Sequence, residues 1–279
     1  MSKENIAVKE LKNKKKTIKE IVTELYETIG LISVHLKIDD LEGSNYQPWD
    51  VVSLSESKVN KHFKNEKSQL IQYTSKSFLR VYPKAIRIDS SNFDPTKSWI
   101  CGAQLVSLNL QTLNDDYTLL NHLFFNLNHG CGYILKPEYL RSGSFQVREY
   151  LSAKFTLEFS ILSGLMLQKF MQKDSKQIYI TVKLIGTNED DKNPCLKTDI
   201  VKDNFVHPLF INGSIKFSIF EENLSFLLIK IIDNNDEILA RSVLPIVTIL
   251  EGYKNILLYD AYCQVIENSI LIAKVKKIF

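Results

Sequence analysis

The rhythm of apolar residues changes once along this chain, near residue 150, and that change limits the folds open to it. Downstream, Phe155, Leu157, Phe159 and Ile161 alternate with small or polar neighbours, the period of two that belongs to a half-buried strand. Comparable runs recur at 178–185, 215–220, 226–232, 239–246, 256–259 and 269–275, separated by turn-rich spacers such as 188–194. Short strands at this density predict an all-β sandwich. Upstream, the strands expected at 31–38, 78–82, 103–110 and 132–135 are separated by helix-length or irregular stretches. Crossovers of that length imply parallel pairing. Ser53-Leu54-Ser55-Glu56 reads as a capping box opening a helix. Val59, Phe63, Leu70 and Ile71 then share one face of that helix. Arg141-Ser142-Gly143-Ser144 is a small-residue hinge between the two zones.

Composition removes whole classes. The 279 residues carry a net charge of +3 and are 44% hydrophobic, which excludes a polybasic nucleic-acid coat, an acidic tail and wholesale disorder. Residues 1–20 hold seven Lys and three Glu with no apolar core, so they read as a solvated basic arm and not as a signal peptide. The Lys12-Asn13-Lys14-Lys15-Lys16 run suits anionic lipid or a nuclear address. The most apolar stretch, 226–232, is interrupted by Lys230 and is too short to cross a bilayer, so any membrane contact is expected to be peripheral. Cys101, Cys131, Cys195 and Cys263 are scattered and form no CxxC pair, as suits a reducing cytosol.

Three blocks of the first zone carry a resemblance. They are Arg80-Val81-Tyr82-Pro83-Lys84-Ala85-Ile86-Arg87-Ile88-Asp89-Ser90-Ser91-Asn92-Phe93-Asp94-Pro95, Gln104-Leu105-Val106-Ser107-Leu108-Asn109-Leu110-Gln111-Thr112 and Gly130-Cys131-Gly132-Tyr133-Ile134-Leu135-Lys136-Pro137. In this order and spacing they resemble the Y half of the eukaryotic phosphoinositide-specific phospholipases C, over about residues 22–141. The resemblance implies an α/β half of a TIM-type (β/α)8 barrel followed by an all-β C2-type sandwich. The corresponding division is a basic tail or linker remnant at 1–21, a Y half-barrel at 22–145 and a C2 domain at 146–279. It also implies calcium-assisted cleavage of phosphatidylinositol 4,5-bisphosphate. In that reaction the inositol 2-hydroxyl attacks the phosphodiester, releasing diacylglycerol. The two acid–base histidines and the calcium ligands belong to the family's X half, which these residues do not resemble. His35, His62, His122, His129 and His207 all lie outside the family's catalytic contexts, so no catalytic residue is expected here.

The Y half is implied to grip the headgroup, and Ser53, Arg80 and Tyr82 match the positions that do so. Their chemistry fits independently. A guanidinium offers a fixed fork to phosphate oxygens, and a tyrosine ring offers a flat wall to the inositol C–H face. Ser53, read at a helix start, would set a hydroxyl beside free N–H groups, with cap pairing to Glu56 as its plainer role. Ile86 stands where an apolar rim dipping into lipid is implied.

Calcium-binding sandwiches gather several loop carboxylates. Here Gln177-Ile178 replaces an Asp-Pro, and Asp233 and Asp236 are too few, so no metal site is expected in this chain and calcium is assigned to the X half. Asp174 and Glu189-Asp190-Asp191 read as solvated loops. Expected partners are a phosphoinositide headgroup, a membrane surface and an X-half segment in cis or trans, with no nucleic acid and a cytoplasmic, peripheral location. Four parallel strands cannot close a barrel, so an apolar concave face and two unpaired edges are expected, together with dependence on an X half or on the sandwich. The alternative reading is a non-catalytic phosphoinositide-binding or scaffolding protein.

Overall fold

The computed structural model describes residues 28–36, 46–143, 152–171, 176–187 and 192–279. Its first unit is a parallel sheet in sequence order: β1 (Ile32–Val34), β2 (Asp50–Ser55), β3 (Phe78–Tyr82) and β4 (Leu105–Val106). Between the strands run α1 (Glu56–Asn65), α2 (Lys67–Thr74) and α3 (Thr96–Ile100), with α4 (Asp116–Asn126) and α5 (Glu138–Ser142) after β4. Register explains the two faces. Val34, Val52 and Leu79 form one row and Leu54, Val81 and Val106 the next, and these side chains turn towards the helices. There they pack with Val59, Phe63, Leu70, Ile71, Ile100, Leu119 and Leu120. The opposite face is open to solvent on one side of the sheet.

Four expectations for this unit need correction. The expected strand at 132–135 is absent; Tyr133 and Leu135 are 80% and 76% exposed, and Gly130 and Gly132 take positive φ that breaks an extended run. The third expected strand shrinks from eight residues to Leu105–Val106, because β4 is the sheet edge and Asn109 N turns away to donate to Asn92 Oδ1. Ser53-Leu54-Ser55-Glu56 is no capping box. Ser53 lies inside β2, Ser55 is the N-cap without a side-chain cap bond, and Glu56 bonds elsewhere. The strand persists because its ladder with β3 runs through to Ser55 opposite Tyr82. The single helix is two, broken at Glu66, whose carboxylate meets His62 Nδ1 and whose φ of −140° leaves the helical region. Lys37 and Ile38 of the first expected strand lie outside the described residues.

The second unit is a two-sheet antiparallel sandwich. One sheet joins β6 (Gln177–Ile185), β10 (Phe226–Asp233) and β11 (Ile238–Pro245), with the short β7 (Leu196–Lys197) and β8 (Val201–Lys202) on β6. The other joins β12 (Gly252–Tyr259), β13 (Val265–Ile278), β5 (Phe155–Leu165) and β9 (Ser214–Ile219). Among the described residues a single pair, Arg241 with Tyr259, links the two sheets. Alternate residues of each strand, including Leu157, Phe159, Ile180, Val182, Ile229, Ile231, Leu271 and Ala273, fill the space between them. Every run expected from alternation is found. Asp174 and residues 189–191 lie outside the described residues.

β10 reads as a nearly continuous apolar run because it is buried on both faces. Leu227, Ile229 and Ile231 face the sandwich interior, whereas Phe226 and Leu228, with Ile185, Leu224 and Val243, join the core of the parallel unit. Phe226 sits 5.3 Å from the Phe124 ring and 6.0 Å from the Trp99 ring, centroid to centroid. Polar ties flank that contact. Arg241 and Lys230 both reach the Asp116 carboxylate at the start of α4, and Arg241 also donates to Asn114. Residues of the sandwich's outer face therefore complete the core of the parallel unit, while the sandwich keeps an interior of its own.

Within that core, Gly102 has φ +77°, and an added Cβ would lie 2.4 Å from Thr74 Oγ1, which itself donates to Cys101 O. Burial pushes the Cys101 thiol up to about 12, against about 8.5 in an unfolded chain. The folded state thus keeps a proton that the unfolded state releases. This contribution is intact below about pH 8.5 and is lost as pH rises towards 12. Between about pH 8 and about pH 10.5 the urea midpoint is expected to fall more for wild type than for Cys101→Ala. Equal falls would show that the thiol does not titrate late.

Candidate functional site

The open face of the parallel sheet gathers all three residues singled out by sequence. Ser53 of β2 pairs in register with Arg80 of β3, and Arg80 pairs with Leu105 of β4. Ser55 pairs with Tyr82 one step further along. Residues two apart on a strand share a face, so Ser53, Ser55, Arg80 and Tyr82 form one patch near the C-terminal ends of the two central strands. In open parallel sheets that end is where ligands bind. Arg80 Cζ stands 5.3 Å from the centre of the Tyr82 ring. Arg80 is exposed, and no carboxylate among the described residues pairs with it. A guanidinium that leans on an aromatic wall, with its fork free, is ready to accept an anion.

The face is not the apolar surface expected of a half-barrel. Ser33, Ser53, Ser55 and Arg80 share it with Val51, Phe78 and Leu105, so its rows mix hydroxyls and a cation with apolar groups. The loop after β3, residues 83–92, rises beside the patch. At its tip Ile86 and Ile88 are 78% and 96% exposed, next to Lys84 and Arg87.

Sequence reasoning missed the partner that shapes this loop. Glu56 is buried and accepts Arg87 Nε at 2.6 Å, Arg87 Nη2 at 2.8 Å and the Lys84 backbone N–H at 2.9 Å. The hydrogen bonds and the Arg87 charge hold the Glu56 carboxyl below the usual carboxylate range, although burial opposes them as the largest single influence. The available signal was the alternation of Val52 and Leu54 with Ser53 and Ser55, a strand pattern that ends at Glu56.

In the sandwich, the Asp233 carboxylate is fully buried and accepts the backbone N–H groups of Asn235 and Glu237, while Asp236 accepts the Tyr179 hydroxyl. Among the described residues no three His, Cys, Asp or Glu side chains cluster as metal ligands do. No described helix is long and apolar enough to cross a membrane.

The chain thus joins an open β/α sheet, with a cation near its strand ends, to an antiparallel sandwich through contacts in one core. Residues 27–139 match the family model described as phosphatidylinositol-specific phospholipase C, Y domain. The chain is 30% identical over 243 residues to the human 1-phosphatidylinositol 4,5-bisphosphate phosphodiesterase gamma-2, covering 84% of this chain and 19% of that protein. It is 29% identical over 277 residues to the 1-phosphatidylinositol 4,5-bisphosphate phosphodiesterase of Dictyostelium discoideum, covering 94% of this chain and 34% of that protein. The crystal structure of PLC21 from S. officinalis superposes with a TM-score of 0.81 at 23% identity, over 99% of this chain and 36% of that one. Residues 27–139 are thus similar to the Y domain of the phosphoinositide-specific phospholipases C, and most of the chain is similar to a portion of such proteins. It spans about a fifth to a third of the length of these curated relatives.

Proposed function

We propose that this chain is the headgroup-binding and membrane-placing part of a phosphoinositide phospholipase C. The complete enzyme hydrolyses phosphatidylinositol 4,5-bisphosphate to diacylglycerol and inositol trisphosphate in intracellular signalling. The acid–base histidines and the calcium ligands reside in an X half that acts in cis or in trans. When bound there, calcium would lower the barrier by stabilising charge on the phosphodiester. Ser53, Arg80 and Tyr82 serve the substrate: the guanidinium takes a ring phosphate, the serine hydroxyl donates to a neighbouring oxygen, and the Tyr82 ring backs the inositol. Ser53 does this from a strand, so its contribution is its hydroxyl and not a helix terminus. The second unit acts as a C2 domain that sets the sheet against the cytoplasmic face of a membrane. Ile86 and Ile88 reach into the lipid, with Lys84 meeting its anionic surface.

The observation that carries this reading is the register that sets Ser53 beside an Arg80 that pairs with no carboxylate among the described residues, with Tyr82 on the same face. A charge-assisted hydrogen bond contributes about 1.5–3 kcal/mol, so Arg80→Ala is expected to weaken binding of soluble inositol trisphosphate at least about tenfold. Arg80→Lys, which keeps charge but loses the fork, falls between. Isothermal titration with the purified chain checks this, and unchanged affinity in Arg80→Ala would remove the assignment. The purified chain alone is expected to release no inositol trisphosphate from phosphatidylinositol 4,5-bisphosphate. Calcium-dependent turnover would place the catalytic groups among these residues and overturn the division of labour.

A further inference from the structure

We propose that Glu56 and Arg87 are a positioning pair that fixes the 83–92 loop and holds Ile86 and Ile88 outward beside the Arg80–Tyr82 patch. The proposal rests on the reading that this loop meets lipid. It adds to that reading a device that the lipid-facing residues themselves do not contain.

The geometry is that of a clamp across both ends of a loop. Glu56 is the first residue of α1, directly after β2, and its side chain is 4% exposed. One carboxylate oxygen accepts the Lys84 N–H and Arg87 Nε, and the other accepts Arg87 Nη2. The remaining guanidinium nitrogen, Nη1, donates to Ser91 Oγ at 2.9 Å and to Asn92 O at 3.1 Å. The two side chains together thus tie residue 84 to residues 91 and 92. The far end is anchored again. Asn92 is 6% exposed and exchanges hydrogen bonds with both backbone groups of Asn109, and it donates to Asp115 and Thr118. Thr112 Oγ1 donates to Ser90 O at 2.6 Å, where Ser90 takes a positive φ of 56°.

Two isoleucines left in water at a loop tip would gain by folding down onto apolar surface. A bidentate pair anchored in the protein prevents that collapse. An ion pair on a buried carboxylate is also a weak route to stability, because well-packed apolar residues do as well, so its presence fits a role in fixing geometry. Arginine suits the role, since its planar fork sets direction as well as charge.

The test compares wild type, Glu56→Gln, Arg87→Lys and Ile86→Ser in the whole chain, each first shown to be folded by its urea midpoint. Hydrogen exchange of the 84–91 amides without lipid reports the clamp directly. Both clamp variants are expected to exchange about tenfold faster in that segment. Partition is then measured onto phosphatidylcholine vesicles containing phosphatidylserine and phosphatidylinositol 4,5-bisphosphate, beside titration with soluble inositol trisphosphate. The clamp variants are expected to lose about fivefold in vesicle partition, and to lose more there than in soluble headgroup affinity. Ile86→Ser is expected to lose vesicle partition with no change in loop exchange. If Ile86→Ser weakens partition while both clamp variants exchange and partition like wild type, the clamp is wrong and the lipid-facing loop stands. Equal losses for vesicle and soluble headgroup would reduce the pair to general structure and also overturn the proposal. If Ile86→Ser partitions like wild type, the lipid reading itself fails and takes the proposal with it.

Discussion

Removing the Asp116 carboxylate with Asp116→Ala is expected to lower the free energy of unfolding by about 3–5 kcal/mol. Asp116 is the shared counterion of two cations, Lys230 and Arg241, which are opposite one another in the β10–β11 ladder. Without it, two like charges remain side by side, one of them on a residue that is only 3% exposed. Arg241→Met is expected to be milder, about 3 kcal/mol, because Lys230 still neutralises Asp116 and the methionine replaces part of the arginine stem. What it loses is one bond to Asp116 and the pair of bonds to Asn114. Urea unfolding followed by circular dichroism gives both values. The order is the critical result: if Arg241→Met were the more damaging, the shared-counterion account would be wrong.

Phe226→Ala should be comparably severe, at about 3–5 kcal/mol for a buried phenylalanine. Its ring is fully buried against Trp99 and Phe124, and it is the sandwich's largest insertion into the core of the parallel unit. Its loss acts on the joint as well as on the total. Wild type is expected to unfold in one transition, with Trp fluorescence and the β-sheet circular dichroism signal changing together. In Phe226→Ala the Trp signal, which includes Trp99, is expected to move ahead of the sheet signal as the parallel unit melts first. Coincident transitions in the variant would show that the aromatic contact is not what couples the units.

The sandwich was legible in the sequence almost strand for strand, because each of its faces is either core or solvent and alternation reports that difference directly. Even Phe226–Asp233, whose outer face is covered by the other unit, remained readable as a nearly unbroken apolar run. The parallel unit was less legible for a physical reason. Its strands are short and its edge strand has only two residues, so apolar residues at 132–135 looked like a strand although no neighbour pairs with them. The stretch 50–55 carried a strand's alternation and a cap's residue types at once, and the ladder to β3 decided between them.

Of the candidate patch, Ser53, Arg80 and Tyr82 were named from sequence, and the register brings them onto one face. Their mutual placement was not accessible, since spacing along the chain does not reveal that residues 53 and 80 are cross-strand neighbours. The Glu56–Arg87 pair was hidden for the same reason: its members are 31 positions apart, and Glu56 already had a plausible local role.

Arg241 does two jobs from one position. Its backbone forms the single pairing that links β11 to β12, and its side chain grips the start of α4. Were the two units pulled apart, part of the load would pass through that residue. Rupture at the junction of the units would then begin to unzip the corner of the sandwich, so separating the two pieces mechanically without damaging one of them should prove difficult.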